Sequence, residues 1–258
     1  GVVSLNTKAN NYVLNDYDPN TYMMYVEFNK TKDWKQLDKD ILEVIRKYGL
    51  PLKSTSKEAI DFNEEENEIY KVRYNNLRDS FNKTKDFVKL LVLQRYSMSN
   101  TIRYNSDGLF NMPKGNQYYI SKEHAIQHKN SIDFFNQDNV VITNKSYLEF
   151  SDFKENDFVY LDPPYINTTA TYNENGAWCE KDEDALFEYL LILNEKGVKF
   201  ALSNTYVNKG IENTRLKNFV KENGLYDYIF KDFTYVSFGK GNSETQEVLI
   251  ANYPLIHP

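Results

Sequence analysis

The sequence is short of the residues from which disulfides and metal centres are built. Among 258 residues there is one cysteine, Cys179, which excludes an internal disulfide and a cysteine-based zinc site and fits a reducing cytoplasm. The three histidines, His124, His128 and His257, include one pair at i, i+4 spacing with no third ligand beside it, so no metal is expected. No apolar run approaches the length of a membrane span, and no signal peptide is expected at the start. Base is outweighed by acid, 31 residues against 37 for a net charge of -6, which at first argues against a nucleic-acid partner. What remains is ordinary: 41% apolar and 26% charged residues, in a chain long enough for one large domain or a core with an insertion. Only the aromatics are plentiful, with 21 Tyr and 16 Phe, and beside abundant Asn and Lys they are explained as readily by an AT-rich genome as by stacking.

The negative charge is unevenly spread. From Tyr70 to Asn130 there are eleven Lys or Arg against four acids, a local net of +7, so the rest of the chain carries -13. A protein that meets phosphates with one face can be acidic elsewhere, and the split fits such a face.

Of the seven prolines, two stand side by side in Leu161-Asp162-Pro163-Pro164-Tyr165, after the apolar run from Phe158. Each proline fixes φ near −65° and offers no N–H to a sheet, so the chain must leave the strand there. In an open α/β sheet that is the crevice where ligands bind. Asp162 accepts hydrogen bonds, the carbonyls around Pro163 accept more, and Tyr165 offers a flat face. The set suits an amino group on a planar heterocycle; the alternative is a proline-ended strand in which Tyr165 only packs.

A second pattern lies in the basic region: Arg103-Tyr104-Asn105-x-x-Gly108-x-Phe110-Asn111-x-Pro113-x-Gly115. Turn chemistry at Ser106-Asp107-Gly108 predicts a β-hairpin, and a two-stranded ribbon fits a DNA major groove, where arginine pairs with guanine. Both motifs closely resemble those of DNA adenine-N6 methyltransferases of the Dam-like kind, the D12 class within the alpha group of amino-methyltransferases. The resemblance implies an α/β fold, a Rossmann-like S-adenosylmethionine-dependent methyltransferase sheet with an inserted, mainly helical target-recognition domain carrying the hairpin. It places the catalytic core at 1–30 and 132–258 and the recognition domain at 31–131. It implies that Asp162, Pro163, Pro164 and Tyr165 hold a flipped-out adenine. The donor then lies against Gly1, Asn15, Asp16, Ile142, Thr143, Asn144 and Asp162, with the acid after the first strand on the ribose hydroxyls. By the same match Arg103 reads a base, Met98, Ser99 and Thr101 sit beside the vacated base, and Arg95, Asn105, Asn111, Pro113, Lys114 and Lys240 are the other DNA contacts.

The family's Phe-x-Gly-x-Gly loop and Lys-Trp-x-Gly-Gly-Lys segment would precede Gly1, so the N-terminal part of the donor pocket is expected to lie outside this sequence. The implied partners are double-stranded DNA and a cognate restriction endonuclease, in a bacterial or phage setting. Competing functions are a cytosine-N4 enzyme, for which Ser would be commoner at 162, a protein-glutamine methyltransferase, for which Asn would be, and a DNA-binding module without activity.

The residue pattern predicts strands at Tyr12–Leu14, Val140–Ile142, Phe158–Leu161 and Lys199–Leu202; the tail runs from Tyr226 to Thr234, and Glu247–Tyr253 resembles the family's closing strand. Helices are predicted over Thr21–Phe28, Lys35–Tyr48, Asp86–Arg95, Lys122–Phe135, Glu183–Leu193 and Thr214–Asn223, with another beginning near Ile69 after a solvated acidic stretch from Asp61 to Glu68. Asn167 to Trp178 reads as a polar loop, with Tyr172 and Trp178 closing over the site, and Ser203-Asn204 as a strand end.

Overall fold

The structure, a computed structural model, describes residues 2–58, 62–167, 178–230 and 245–254. Of the residues singled out above, Gly1, Asp61, Tyr172, Thr234, Lys240 and His257 lie outside them. The chain divides into two compact units, residues 1–147 and 148–258.

The first unit is mainly helical. A single turn, α1 (Val2–Leu5), precedes strand β1 (Tyr12–Asn15), and β1 pairs in parallel with β4 (Val140–Thr143), so that Asn15 stands opposite Thr143 at the C-terminal ends of both strands. Between them in sequence come α2 (Pro19–Lys30), α3 (Trp34–Lys47), α4 (Glu64–Thr84), α5 (Phe87–Tyr96) and α6 (Ser121–Phe135). The starts of α2, α3, α4 and α5 carry side-chain caps. The carboxylates of Asp18, Asp33 and Asp86 each accept N–H groups of the first turn that the helix itself cannot satisfy. Asn63 and Glu66 form a reciprocal capping box on α4. The acidic stretch read as a solvated lead-in is therefore partly helix, with Glu64, Glu65 and Glu66 in the first turn, where the helix dipole favours negative charge. The apolar stripe of α3, Leu37, Ile41 and Ile45, is fully buried against Tyr74, Leu93 and Tyr96 in a continuous core. A two-residue strand, β2 (Leu52–Lys53), pairs in parallel with β3 (Tyr119–Ile120); at that length no alternation exists to predict it.

The second unit is a sheet with helices. Strand β5 (Phe158–Leu161) runs parallel to β6 (Lys199–Asn208), and β6 is antiparallel to β9 (Gln246–Ala251), which pairs with β8 (Tyr226–Phe230). A short β7 (Ile211–Glu212) folds back on the end of β6. Helix α7 (Glu180–Glu195) buries Leu186, Tyr189, Leu190 and Leu193, at the i, i+3, i+4, i+7 spacing of one face, and α8 (Thr214–Glu222) buries Leu216, Phe219 and Val220. The rings of Phe187 and Phe219 stack between these helices, 4.1 Å apart and nearly parallel. Strand β6 corrects the expected end at Ser203-Asn204. It continues through Asn208 because Thr205, Tyr206 and Val207 favour extended backbone and β9 stays paired alongside, with a bulge between Thr205 and Val207. Among the described residues no helix is long and apolar enough to cross a membrane.

Candidate active site and nucleic-acid interface

Asp162 follows the last residue of β5, and the two prolines after it end the strand. The Tyr165 hydroxyl donates to Asp162 Oδ1 at 3.0 Å and closes the four residues into a clamp. Removal from water raises the Asp162 carboxyl above the ordinary carboxylate range, the Tyr165 donation opposes this, and Glu247 adds to the rise. Burial and the adjacent carboxylate hold the Tyr165 hydroxyl protonated. In the strand before the clamp, Tyr160 and Ser203 share a hydrogen bond of 2.7 Å between β5 and β6. After it, Asn167, where the polar loop was expected to begin, stands in a turn, buried and bound to β6 and β7. Trp178 is half-buried. Asn204, expected at a strand end, lies buried within β6, and its Oδ1 accepts the N–H of Thr205 at 2.8 Å.

In the first unit the ends of β1 and β4 bring together Asn15, Asp16, Ile142, Thr143 and Asn144. Most of their side chains fasten the two turns to each other. Thr143 Oγ1 and the Lys145 N–H both donate to Asn15 Oδ1, at 2.9 and 3.1 Å, and Asn15 Nδ2 donates to the Lys145 carbonyl at 2.9 Å. Asn144 Nδ2 donates to the carbonyls of Asp16 and Tyr17, at 2.7 and 3.1 Å. Asp16 Oδ1 accepts the N–H of Asp18 at 3.0 Å, and its charge, after burial, helps push the Tyr25 hydroxyl up to about 12. The result is a carboxylate braced at the C-terminal edge of a parallel strand pair, where open α/β sheets take ligands.

Residues 97–115 form an arm. Asn105 N–H donates to the Leu109 carbonyl and Asn111 N–H to the Arg103 carbonyl, at 2.9 and 3.1 Å, around an isolated bridge between Tyr104 and Phe110. This is narrower than the predicted two-stranded ribbon. Asn105 Oδ1 uses itself on the turn, accepting from Asp107 N–H and Leu109 N–H, and Gly108 turns with φ of 68°. The base of the arm is a backbone crossing: Met98 N–H donates to the Pro113 carbonyl and Gly115 N–H to the Tyr96 carbonyl. A Cβ on Gly115 would fall 2.5 Å from the Ser97 carbonyl oxygen, so only glycine fits.

The expected DNA contacts divide into exposed and braced groups. Met98, Ser99 and Pro113 are exposed, and Ser99 and Asn100 hold left-handed backbone, φ 58° and 53°. Thr101 closes this turn, its N–H donating to the Met98 carbonyl. Arg103 is half-buried, its Nε donating to Asn111 Oδ1 at 2.7 Å. Lys114 lies over the ring of Tyr70, 4.5 Å from its centre, and reaches Asn67 Oδ1 at 3.4 Å. Arg95 is half-buried beneath the 98–101 turn, donating to Gln127 Oε1 at 3.2 Å and lining a cavity of about 70 Å³ with Asn100, Tyr119 and His128.

Two histidines and two asparagines gained roles that no local pattern announced. His124 Nδ1 accepts the N–H of Ile120 at 2.7 Å, capping α6, and His128 meets the Tyr119 hydroxyl at 3.3 Å. Burial, with Arg95 nearby, pushes both imidazoles down to about 4, so they are neutral. Asn82 of α4 grips the arm through both backbone groups of Phe110, and Asn167 does similar work beside the clamp.

The model of the D12 class N6 adenine-specific DNA methyltransferases matches residues 1–240. The chain is 29% identical over 259 residues to "Modification methylase StsI" of Streptococcus sanguinis, an overlap covering 97% of this chain and 37% of that protein. It is 32% identical over 265 residues to "Type II methyltransferase M.FokI" of Planomicrobium okeanokoites, again 97% of this chain and 37% of the relative. With "Retron Ec67 DNA adenine methylase" of Escherichia coli the identity is 28% over 190 residues, 70% of this chain and 62% of that protein. The chain thus spans well under half the length of the first two relatives.

Proposed function

The chain belongs to the D12 class of N6 adenine-specific DNA methyltransferases, and on that premise we propose that it methylates N6 of an adenine swung out of duplex DNA at a specific site. The observation that carries this reading is the Asp162 carboxylate, presented at the strand end, held by Tyr165 and followed by two prolines that contribute no competing donors. N6 is a poor nucleophile because its lone pair is delocalised into the ring. Tyr165 occupies Oδ1, and we assign Oδ2 and the Pro163 carbonyl to the two amine hydrogens. Accepting both favours a more tetrahedral nitrogen, with the lone pair available for attack. The ring of Tyr165 supplies the stacking face for a base taken out of the duplex. The work is positioning and electrostatics, with no covalent intermediate on the protein. Only ionised Asp162 accepts a hydrogen bond at both oxygens, so activity rises with pH through its raised titration.

The residues present suit S-adenosylmethionine as donor. When bound, it supplies an electrophilic methyl group on a sulfonium centre. Asp16, braced at the end of β1, would take its ribose hydroxyls, with Ile142, Thr143 and Asn144 beside its adenine; Asn15 acts by bracing the turn. The arm is the proposed reader of duplex DNA, with Arg103 on a base and the recognition role carried by residues 31–131; residues 1–30 and 132–258 carry the chemistry. A modification role beside a cognate restriction endonuclease is the corresponding proposal for its partner, and a bacterial or phage cytoplasm for its setting.

The test is transfer of labelled methyl from S-adenosylmethionine to unmethylated DNA, with digestion to nucleosides and mass spectrometry. N6-methylated deoxyadenosine is expected; N4-methylated deoxycytidine would overturn the choice of base. Asp162→Ala should abolish transfer and leave DNA affinity nearly intact. Equal loss of both would make Asp162 a structural residue.

A further inference from the structure

We infer that Asn167 is a positioning residue for the Asp162–Tyr165 clamp, the fixed far end of an arch whose shape it sets. The inference rests on the methyl-transfer reading above. Proline removes backbone donors from the clamp, which the Tyr165 hydroxyl closes on Asp162. Its placement on the sheet depends on where its two ends are held. At the near end, Leu161 is in register with Leu202 of β6. At the far end, Asn167 attaches three residues further along the same strand. Thr205 Oγ1 donates to Asn167 Oδ1 at 2.6 Å, and Asn167 Nδ2 donates to the Ile211 carbonyl at 3.1 Å and the Thr205 carbonyl at 3.5 Å. Asn208 Nδ2 donates to the Asn167 carbonyl at 2.8 Å.

The two feet, Leu202 and Thr205, are separated by three strand residues, roughly 10 Å. The chain joining them, Leu161 to Asn167, has six residues' worth of reach, about 20 Å. The surplus has to project from the strand end, and with two prolines in it the projection is stiff. Its height and tilt, hence the direction of the Asp162 carboxylate and the Tyr165 ring, follow from where the far foot stands. The bulge between Thr205 and Val207 belongs to this foot: Asn204 Oδ1 takes the Thr205 N–H, and the Thr205 hydroxyl meets Asn167. Asn167 is 7% exposed, so these bonds are not exchanged for water.

The experiment is single-turnover methyl transfer at saturating DNA, with DNA affinity measured in parallel. Asn167→Ala is expected to slow transfer by about 10–100-fold, the penalty for misplacing a reacting group by an ångström or less, with DNA affinity within about twofold of the parent. Thr205→Val should reproduce the loss, Thr205→Ser should keep the parental rate, and Asn208→Ala, which frees only the Asn167 carbonyl, should give a smaller loss in the same direction. A folded Asn167→Ala variant at the parental rate overturns the inference. So does a parallel fall of rate and affinity, and so, should Asn167→Ala fail to fold, does Thr205→Val at the parental rate. A parent chain that makes no N6-methylated adenine overturns the underlying reading instead, and the inference with it.

Discussion

Asn82→Ala should loosen the 97–115 arm from its helix, and the size of the effect can be worked out from backbone parity. Within the arm, the N–H groups of Asn105 and Asn111 donate across the hairpin, to the Leu109 and Arg103 carbonyls. The bridge between them, Tyr104 with Phe110, is of the kind in which the paired residues exchange no bonds, so the N–H and C=O of Phe110 point away from the arm. Asn82 meets both: its Oδ1 accepts the Phe110 N–H at 2.8 Å and its Nδ2 donates to the Phe110 carbonyl at 3.1 Å. Phe110 is 1% exposed, edge-on to Phe81 and Tyr104, so this docking point is largely shielded from water. Alanine leaves two backbone groups without partners at roughly 1–3 kcal/mol each, discounted to a total of about 2–3 kcal/mol because the neighbouring turn lets some water in. For a chain of this size that lowers Tm by about 5–10 °C. Asn82→Asp keeps the acceptor and loses the donor, and should fall between. Thermal unfolding gives the stability, and amide hydrogen exchange at Phe110 reports the docking itself. An Asn82→Ala protein with unchanged Tm and a Phe110 amide as protected as in the parent would refute the reasoning.

Two other expectations follow from the first unit. His124 and His128 have folded values near 4, below the 6.5 of a free imidazole, so the unfolded chain binds more protons between those values. Their contribution to stability is complete above pH 6.5 and is lost as pH falls toward 4. Urea midpoints measured across that window should decline, and a flat profile would show that the two rings are not neutral and buried. Arg103→Ala should cost about 1–3 kcal/mol of discrimination between cognate and altered DNA sites. Asn111→Ala, which frees the Arg103 Nε, should cost part of the same discrimination, measured by competition binding; an even loss on all sequences would make Arg103 a phosphate contact.

Much of this protein was legible one stretch at a time. Helix starts follow from Asp18, Asp33, Asn63 and Asp86, whose side chains satisfy N–H groups only two or three residues away. The apolar stripes of α3 and α7 follow from period 3.6, and the end of β5 from two prolines. The clamp and the arm could be recognised because each is a contiguous run whose chemistry is set by its own residues. Where the sequence misled, the deciding partner was remote. Ser203-Asn204 looks like a strand end until β9 lies alongside and keeps the strand extended to Asn208. Asn167 reads as the first residue of a polar loop, and only the approach of Thr205, Asn208 and Ile211 buries it. Arg95 reads as a basic surface residue, yet α6 brings Gln127 and His128 against it. The i, i+4 histidine pair carries no sequence signal of its role, and packing turns it into a helix cap and a half-buried neutral ring. Local rules reach a few residues along the chain, because a hydrogen bond to a near neighbour costs little ordering. Polar side chains that bond across 24 to 45 residues carry no such signature, and their roles were decided only when the tertiary structure chose what stood beside them.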